Sequence, residues 1–371
     1  MMSQTFLRQR IPQVRPLEHG FMAVSNKREL GQYFTSEDIW LRPHIKSHLS
    51  SLKQRHSICV DPFAGAGDLL QIATTFDFSI KGYDLDPTIC ATQGWGQAHD
   101  SLIEIATHDS AFVLTNPPYL AKNSARRMGS KMVSYFQPPF TDSIEEKLVP
   151  ILDDLFKFAI EKTLAVYDES VWIVPESVVQ DLEKLPHWLE CMHSVTILEE
   201  NPFKDTEHPI CILIFSKSES KNQIWKNDTF LGNYRDIKQM HDDLDSGPRD
   251  LIQMKFNDPK GTLGFRAVDG TTEDDKMRIR FCHGDELGYS RENIKVSSRH
   301  LTYISIQLEG ESLNRTIEKA NNIIDDYRKQ TNDVFLTAFM GNTKAGERRR
   351  RLDYRLARSI FNRAFAIQNR P

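Results

Sequence analysis

The sequence predicts an α/β protein, with a doubly wound, mostly parallel sheet in its first part and a second domain behind it. Three observations carry this. Strand-like and helix-like segments alternate from residue 57 to residue 215, a pattern that implies a parallel sheet covered on both faces. The stretch "DPFAGAGDLL" at 61–70 puts small residues where a strand passes into a helix. Beyond residue 217 the alternation lapses, and Gly, Asp, Lys and Asn become frequent. The expected division is therefore an irregular arm over 1–28, an α/β domain over 29–217 and a second domain over 218–371.

Each element has its own warrant. The first 28 residues are polar with spaced prolines. "SICVDPFAGAGDLLQIATTF" gives an apolar strand at 57–61, a turn, and an apolar helical pattern from about Asp68. "SIKGYDLDP" supplies a second strand ending in acids, Asp100 in "AHDSL" falls where a third strand is expected to end, and "AFVLTNPPY" supplies a later strand. Residues 143–170 read as one long amphipathic helix with Pro150 at a first turn or a kink. "VWIVPES" is a strand, "VVQDLEKLPHWLE" a helix, and "SVTILEE" and "ICILIF" a last pair of strands. Helical spacing returns at 312–330 and again from about Glu347 to the end, where Leu352, Leu356, Ile360 and Phe361 recur on one face. The chain carries no internal repeat and no low-complexity block.

Composition removes several classes. At 371 residues the chain can bury a full core, and 39% hydrophobic with 26% charged residues is ordinary for a soluble globular protein. The longest apolar runs, such as "ICILIF", fall far short of the roughly 20 residues of a membrane span, and "MMSQTFLRQRIPQ" has no apolar signal core. A cytoplasmic protein with no membrane partner is expected. The five cysteines (59, 90, 191, 211, 282) show no CxxC spacing, which argues against a disulfide framework or a zinc site and reads as small buried hydrophobes. "CMH" at 191 and "CH" at 282 lack the second pair that a metal needs. Net charge is only −4, yet the segment from Lys344 to Pro371 holds nine Lys or Arg against Glu347 and Asp353.

The chemistry concentrates in two places. Gly65 and Gly67 lie between a strand end and a helix start, where a missing Cβ admits a ligand and free helix N–H groups face it. Asp84 ends the next strand about 20 residues on, where a carboxylate can accept both hydroxyls of a ribose. Asp84 and Asp100 read equally well as helix caps or solvated loop acids. In "VLTNPPYLAK" at 113–122, two prolines remove two N–H donors and forbid a continuing strand or helix. What is presented is the Asn116 amide oxygen, unused carbonyls and the Tyr119 ring, a set that suits a planar amino group.

"GQYFTS" (31–36), "DPFAGAG", "GYDLDP", "HDSL" and "TNPPY" occur in this order. Over residues 29–217 the chain thereby resembles the gamma class of DNA adenine-N6 methyltransferases, known from restriction–modification systems. The resemblance implies a Rossmann-like, doubly wound domain that uses S-adenosylmethionine (AdoMet), with a C-terminal target-recognition domain. It implies that Gln32, Tyr33, Phe34 and Thr35 line the methionine end of the cofactor, and Asp61, Pro62, Phe63, Ala64, Gly65 and Gly67 its amino-acid moiety. Asp84, with Leu85 beside it, would hold the ribose, and Asp100, with Ser101, the adenine. Asn116 and the Pro117 carbonyl would accept the target N–H bonds, with Pro118 stiffening the turn. Tyr119 would stack on the extruded base, with Phe203 on its other side; a Phe beside a strand is equally a core residue. One departure is Ala111, where the family usually has an acid five residues before the Asn; whether Asp109 replaces it is open.

The implied partner is double-stranded DNA, which would associate the protein with the nucleoid. Lys122, Arg126 and Arg127, followed by Lys131, would lie over phosphates, or else form a solvated loop. Arg348, Arg349, Arg350 and Arg351 would grip phosphates from the outer face of the last helix, or else decorate a surface helix. The same tetrapeptide occurs in enzymes acting on guanine in RNA and on glutamine in proteins, and an inactive DNA-binding specificity module is a further alternative. The GQYFT element and the long C-terminal region favour DNA. No paired-acid-and-Lys nuclease motif is present, so a cognate restriction endonuclease would be a separate chain.

Overall fold

The computed structural model describes residues 39–40, 42–200, 208–272 and 274–369. The arm, the GQYFT element with Gln32, Tyr33, Phe34 and Thr35, and the expected base-stacking Phe203 lie outside the described residues.

An eight-stranded sheet forms the first layer. Its strands are β1 (Ile58–Asp61), β2 (Ser79–Gly82), β3 (Ala111–Thr115), β4 (Glu169–Pro175), β5 (Met192–Ile197), β6 (Ile210–Ser216), β7 (Gln223–Lys226) and β8 (Thr229–Asn233), in the order β2-β1-β3-β4-β6-β5-β7-β8. β1 pairs in parallel with β2 and β3, and β3 with β4, while β6 runs antiparallel between β4 and β5. The central strands are apolar on both faces because both are covered. Val113, Trp172, Val174, Cys211 and Leu213 enter one core, and Phe112, Leu114, Val171, Ile173 and Ile212 enter the other. The fold is thus a doubly wound α/β sheet. Two strands past residue 217, β7 and β8, belong to this same sheet.

Three expectations about elements of the first part of the chain are corrected. No strand forms near Asp100: helix Pro87–Gln93 stops at Gly94 with φ 77°, and Asp100 instead closes a turn by accepting the Leu102 N–H. Among the described residues β2 is therefore one edge of the sheet, with β8 the other. The long helix expected over 143–170 shrinks to Leu155–Leu164, because turns occupy 143–153 around Pro150, which lacks an N–H. The helix expected at 178–190 is broken into Val178–Asp181 and Pro186–Cys191 by a 3₁₀ turn and Pro186.

The second core has a four-stranded antiparallel sheet, β9 (Lys255–Phe256), β10 (Leu263–Arg266), β11 (Arg280–His283) and β12 (Leu301–Ser305), ordered β11-β10-β12-β9. Helices Gly310–Thr331 and Tyr354–Gln368 pack on it. Leu352, Leu356, Ile360 and Phe361 are all buried in this core. The last helix begins only at Tyr354, where the Asp353 carboxylate caps the Leu356 N–H at 2.9 Å. Arg348–Arg351 are not helical: they form β14, which pairs with β13 (Thr337–Asn342) in a hairpin. Strand alternation sends Arg348 and Arg350 inward, 4% and 0% exposed, and leaves Arg349 and Arg351 half-buried. Four arginines on an outer helical face, as the sequence suggested, do not exist; Arg350 is committed to an ion pair with Glu176 and is not open to a phosphate.

Candidate active site

The parallel strands β1, β2 and β3 bring Asp61, Asp84 and Asn116 to their carboxyl ends. After Asp61 the chain turns through Pro62–Gly67 into helix Asp68–Thr75. Gly65 has φ +50°, and a Cβ there would meet none of the described residues within 4 Å, which leaves room on this face of the turn for a ligand. Gly67, at φ +87°, serves another purpose: its missing Cβ makes room for the Trp95 ring, which would lie 2.8 Å away. Trp95 also donates Nε1–H to the Gly65 carbonyl at 3.1 Å, so it buttresses the turn from behind.

Asp84 closes the same turn from β2. Its Oδ2 accepts the Gly65 N–H at 2.9 Å and its Oδ1 the Asp86 N–H at 2.8 Å. Burial raises its carboxyl above the ordinary range, opposed by these N–H donors. The His99 N–H donates to the Asp84 carbonyl at 2.8 Å and so brings Asp100 and Ser101 alongside Asp84 and Leu85. Asp100 accepts the Tyr135 hydroxyl and the Leu102 N–H. Ser101 is buried, yet its hydroxyl has no hydrogen-bond partner among the described residues. Leu85 and Ile103 stand 48% and 50% exposed beside these acids. A buried orphan hydroxyl, acids at two strand and loop ends and flanking exposed aliphatics fit the polar edges and apolar faces of a nucleoside.

Asp61 links this group to the tetrapeptide. It is 2% exposed, and its Oδ1 accepts the Phe63 N–H at 3.0 Å and the Thr115 hydroxyl at 2.5 Å. Burial pushes its carboxyl up to about 7, with Asp84 and Asp68 adding to the rise and the two hydrogen bonds opposing it. Thr115 is the last residue of β3, so Asn116 follows directly. Pro117 is buried; Asn116, Pro118 and Tyr119 are half-buried. The Tyr119 hydroxyl donates to Asn116 Oδ1 at 2.5 Å and reaches the Ile173 carbonyl of β4 at 2.7 Å, while its ring meets Phe156 edge-on at 6.3 Å. The tyrosine thus orients the asparagine as well as offering an aromatic surface. Asp154 fixes the exit: it accepts the Leu120 N–H at 3.0 Å, and burial pushes it up to about 6.

Lys122, Arg126 and Arg127 lie on helix Lys122–Met128, which opens three residues after Tyr119, and a 3₁₀ turn Lys131–Phe136 follows. Arg126 and Arg127 are exposed, and Lys122 sits 5.9 Å from the Phe136 ring centroid. On the hairpin, Arg349 donates to the Asp269 carbonyl at 2.8 Å and stacks on Phe339 at 5.0 Å. The structure therefore gathers Asp61, Phe63, Gly65, Asp84, Leu85, Asp100, Ser101 and Asn116–Tyr119 around the carboxyl ends of β2, β1 and β3. Sequence reasoning missed Thr115, Tyr135, Asp154 and Trp95. Thr115 has a visible signal, a hydroxyl at the strand end beside Asn116; the other three depend on long-range contacts.

No family model matches the sequence, and no curated protein matches it. Among solved structures, the chain is similar to the methyltransferase subunit of a type I restriction-modification system from Streptococcus thermophilus, with 17% identity and a TM-score of 0.39 over 53% of this chain and 47% of that one. This chain thus spans about half the length of that subunit. It is similar to a TehB-like SAM-dependent methyltransferase from Corynebacterium glutamicum, with 12% identity and a TM-score of 0.25 over 46% of this chain and 86% of that one. It is also similar to the hMettl16 catalytic domain, solved with a MAT2A 3'UTR hairpin, with 15% identity and a TM-score of 0.29 over 50% of this chain and 72% of that one. Among the described residues, no helix is long and apolar enough to cross a membrane.

Proposed function

We propose that this protein transfers a methyl group from AdoMet to the N6 amino group of an adenine extruded from double-stranded DNA. The observation that carries the reading is the join at Thr115. Its hydroxyl lies 2.5 Å from Asp61 Oδ1, and the next residue is Asn116. An acid of the nucleoside-like site and an amide acceptor therefore leave the ends of neighbouring parallel strands, with a single side chain bridging them.

AdoMet, when bound, supplies an electrophilic methyl carried on a sulfonium. Asp61, Phe63 and Gly65 would hold its amino-acid end, Asp84 and Leu85 its ribose, and Asp100 and Ser101 its adenine. The target amino nitrogen is a poor nucleophile because its lone pair is delocalised into the ring. Asn116 Oδ1 and the Pro117 carbonyl, acting as acceptors for its two hydrogens, favour a localised lone pair and stabilise positive charge as the methyl arrives. An amide oxygen has two lone pairs, so Asn116 can take a target N–H while still accepting from Tyr119. The buried Pro117 and the anchored Tyr119 hydroxyl hold these acceptors rigidly, which is the geometry that positioning catalysis needs. A base inside a duplex cannot reach these acceptors, so it must be flipped out, and the Tyr119 ring replaces part of the lost stacking. Arg126 and Arg127, exposed on the helix after Tyr119, would meet the backbone of that duplex.

The test is direct. The full chain is incubated with AdoMet and unmethylated genomic DNA, and the product is read by single-molecule sequencing. N6-methyladenine at one recurring sequence is expected. Methyl transfer to RNA guanine or to protein glutamine, with none to DNA, would overturn the DNA reading. A cognate restriction endonuclease on a separate chain belongs to the same proposal, and would cut the same recurring sequence when it is unmethylated.

A further inference from the structure

Arg350 sits where a side chain of the second domain enters the first. Its backbone is clamped on both sides by Asp269: the Arg350 N–H donates to Asp269 Oδ2 at 3.1 Å, and the Asp269 N–H donates to the Arg350 carbonyl at 3.0 Å. The Asp269 carboxylate is itself held by a two-pronged contact from Arg328 at 2.8 and 2.9 Å, and Arg328 is held by Asp333. The position of Arg350 is therefore set by the framework of its own domain. From there its guanidinium reaches Glu176, which is 4% exposed.

Glu176 follows the last residue of β4, and its N–H donates to the Pro209 carbonyl at 3.0 Å. Three residues earlier on the same strand end, the Ile173 carbonyl lies 2.7 Å from the Tyr119 hydroxyl. One short stretch of chain, 173–176, thus anchors both the tetrapeptide and the second domain. Neighbouring contacts follow the same line: Asn342 and Arg348 of the hairpin donate to the Glu199 carbonyl at 3.1 and 3.2 Å, and Gln180 donates to the Phe335 carbonyl at 3.3 Å.

The pair is an inefficient way to hold two domains together. Two buried charges must be desolvated, and apolar residues of similar volume often do as well or better for stability. Among the described residues, Arg350 Nε and Nη2 and Glu176 Oε2 are also buried with no hydrogen-bond partner, which adds to the penalty. What an ion pair supplies and an apolar contact does not is direction. We propose that Arg350 and Glu176 are positioning residues: the pair fixes the second domain against the carboxyl end of β4, and so sets where a bound duplex lies relative to Asn116 and Tyr119. The inference rests on the proposed DNA methyltransferase reading for its effect on turnover, but not for its effect on domain placement.

The experiment uses the full chain with Glu176→Leu and Arg350→Met combined, which removes both charges and strands neither. Stability near that of the wild type and an AdoMet affinity within twofold are expected, while kcat/KM for methylation of duplex DNA falls at least tenfold. Spin labels at Met128→Cys and Met340→Cys, both exposed positions in the two domains, should show a broadened distance distribution in the paired variant. Recovery of stability and turnover together, with an unchanged distance distribution, would overturn the proposal and leave the pair a structural contact. Should the paired variant not fold, Arg350→Lys, which keeps the charge but loses the planar fork, is read by the same measurements. If the wild type methylates no DNA, the function reading fails, and the distance distribution alone still decides the positioning claim.

Discussion

Asp61 offers the sharpest test of the site, because its carboxyl is pushed up to about 7 by burial. Asp61→Asn keeps an oxygen for the Phe63 N–H and the Thr115 hydroxyl but removes the titration. A carboxyl raised in the folded state favours folding most below its unfolded value and loses that advantage as pH climbs through the folded value. From 3.8 to about 7, at 1.36 kcal/mol for each pH unit, the full penalty of ionising Asp61 is about 4 kcal/mol. Roughly 2–3 kcal/mol of this builds up between pH 5 and pH 8 by the same linkage. Urea unfolding of both forms at these two pH values should therefore show the wild type losing about that much stability relative to Asp61→Asn as pH rises. Cofactor binding carries the opposite sign. If the ionised carboxylate receives the AdoMet ammonium, affinity at pH 5, where about one molecule in a hundred is ionised, should be roughly 100-fold below that expected for the fully ionised acid. Titration calorimetry measures this, and Asp61→Asn should bind weakly with no such slope. Parallel pH profiles for the two forms, in both stability and affinity, would refute the idea that Asp61 is a buried, functionally ionising acid.

Asn116→Ala should lower methyl transfer by roughly 100- to 1000-fold, the scale for loss of one preorganised polar partner, while calorimetric AdoMet affinity holds; retained turnover would remove Asn116 from the chemistry. Arg126→Ala with Arg127→Ala should raise KM for duplex DNA and reduce the slope of log affinity against log salt by roughly 0.9 for each phosphate no longer neutralised; an unchanged slope would make that helix face merely solvated. Phe361→Ala, in the second core and 0% exposed, should cost about 3–5 kcal/mol in denaturant unfolding, and a drop under 1 kcal/mol would contradict its place at the centre of that core.

Elements with local signals could be read directly from the chain. β1, β3, β4 and β6 are short apolar runs, the Pro62–Gly67 turn is set by its glycines, and Asn116–Tyr119 must stop at the end of β3 because two prolines admit nothing else. Those residues are written in chain order, so the order of the site was legible too. What remained hidden depends on partners far along the chain. No spacing rule announces that Tyr135 will reach Asp100, that Asp154 will hold Leu120, or that Trp95 will fill the space left by Gly67. The arginine run shows why. Four cations beside an apolar helical pattern look like the exposed face of that helix, since a buried arginine is rarely tolerated without a partner. The partner, Glu176, lies 174 residues away in sequence, and only the fold brings it to Arg350. Once Asp269 draws residues 348–351 into a hairpin, strand alternation turns every second arginine inward. Local chemistry specifies turns and strand ends; which charges are buried, and against what, is decided by contacts that exist only after the chain has closed on itself.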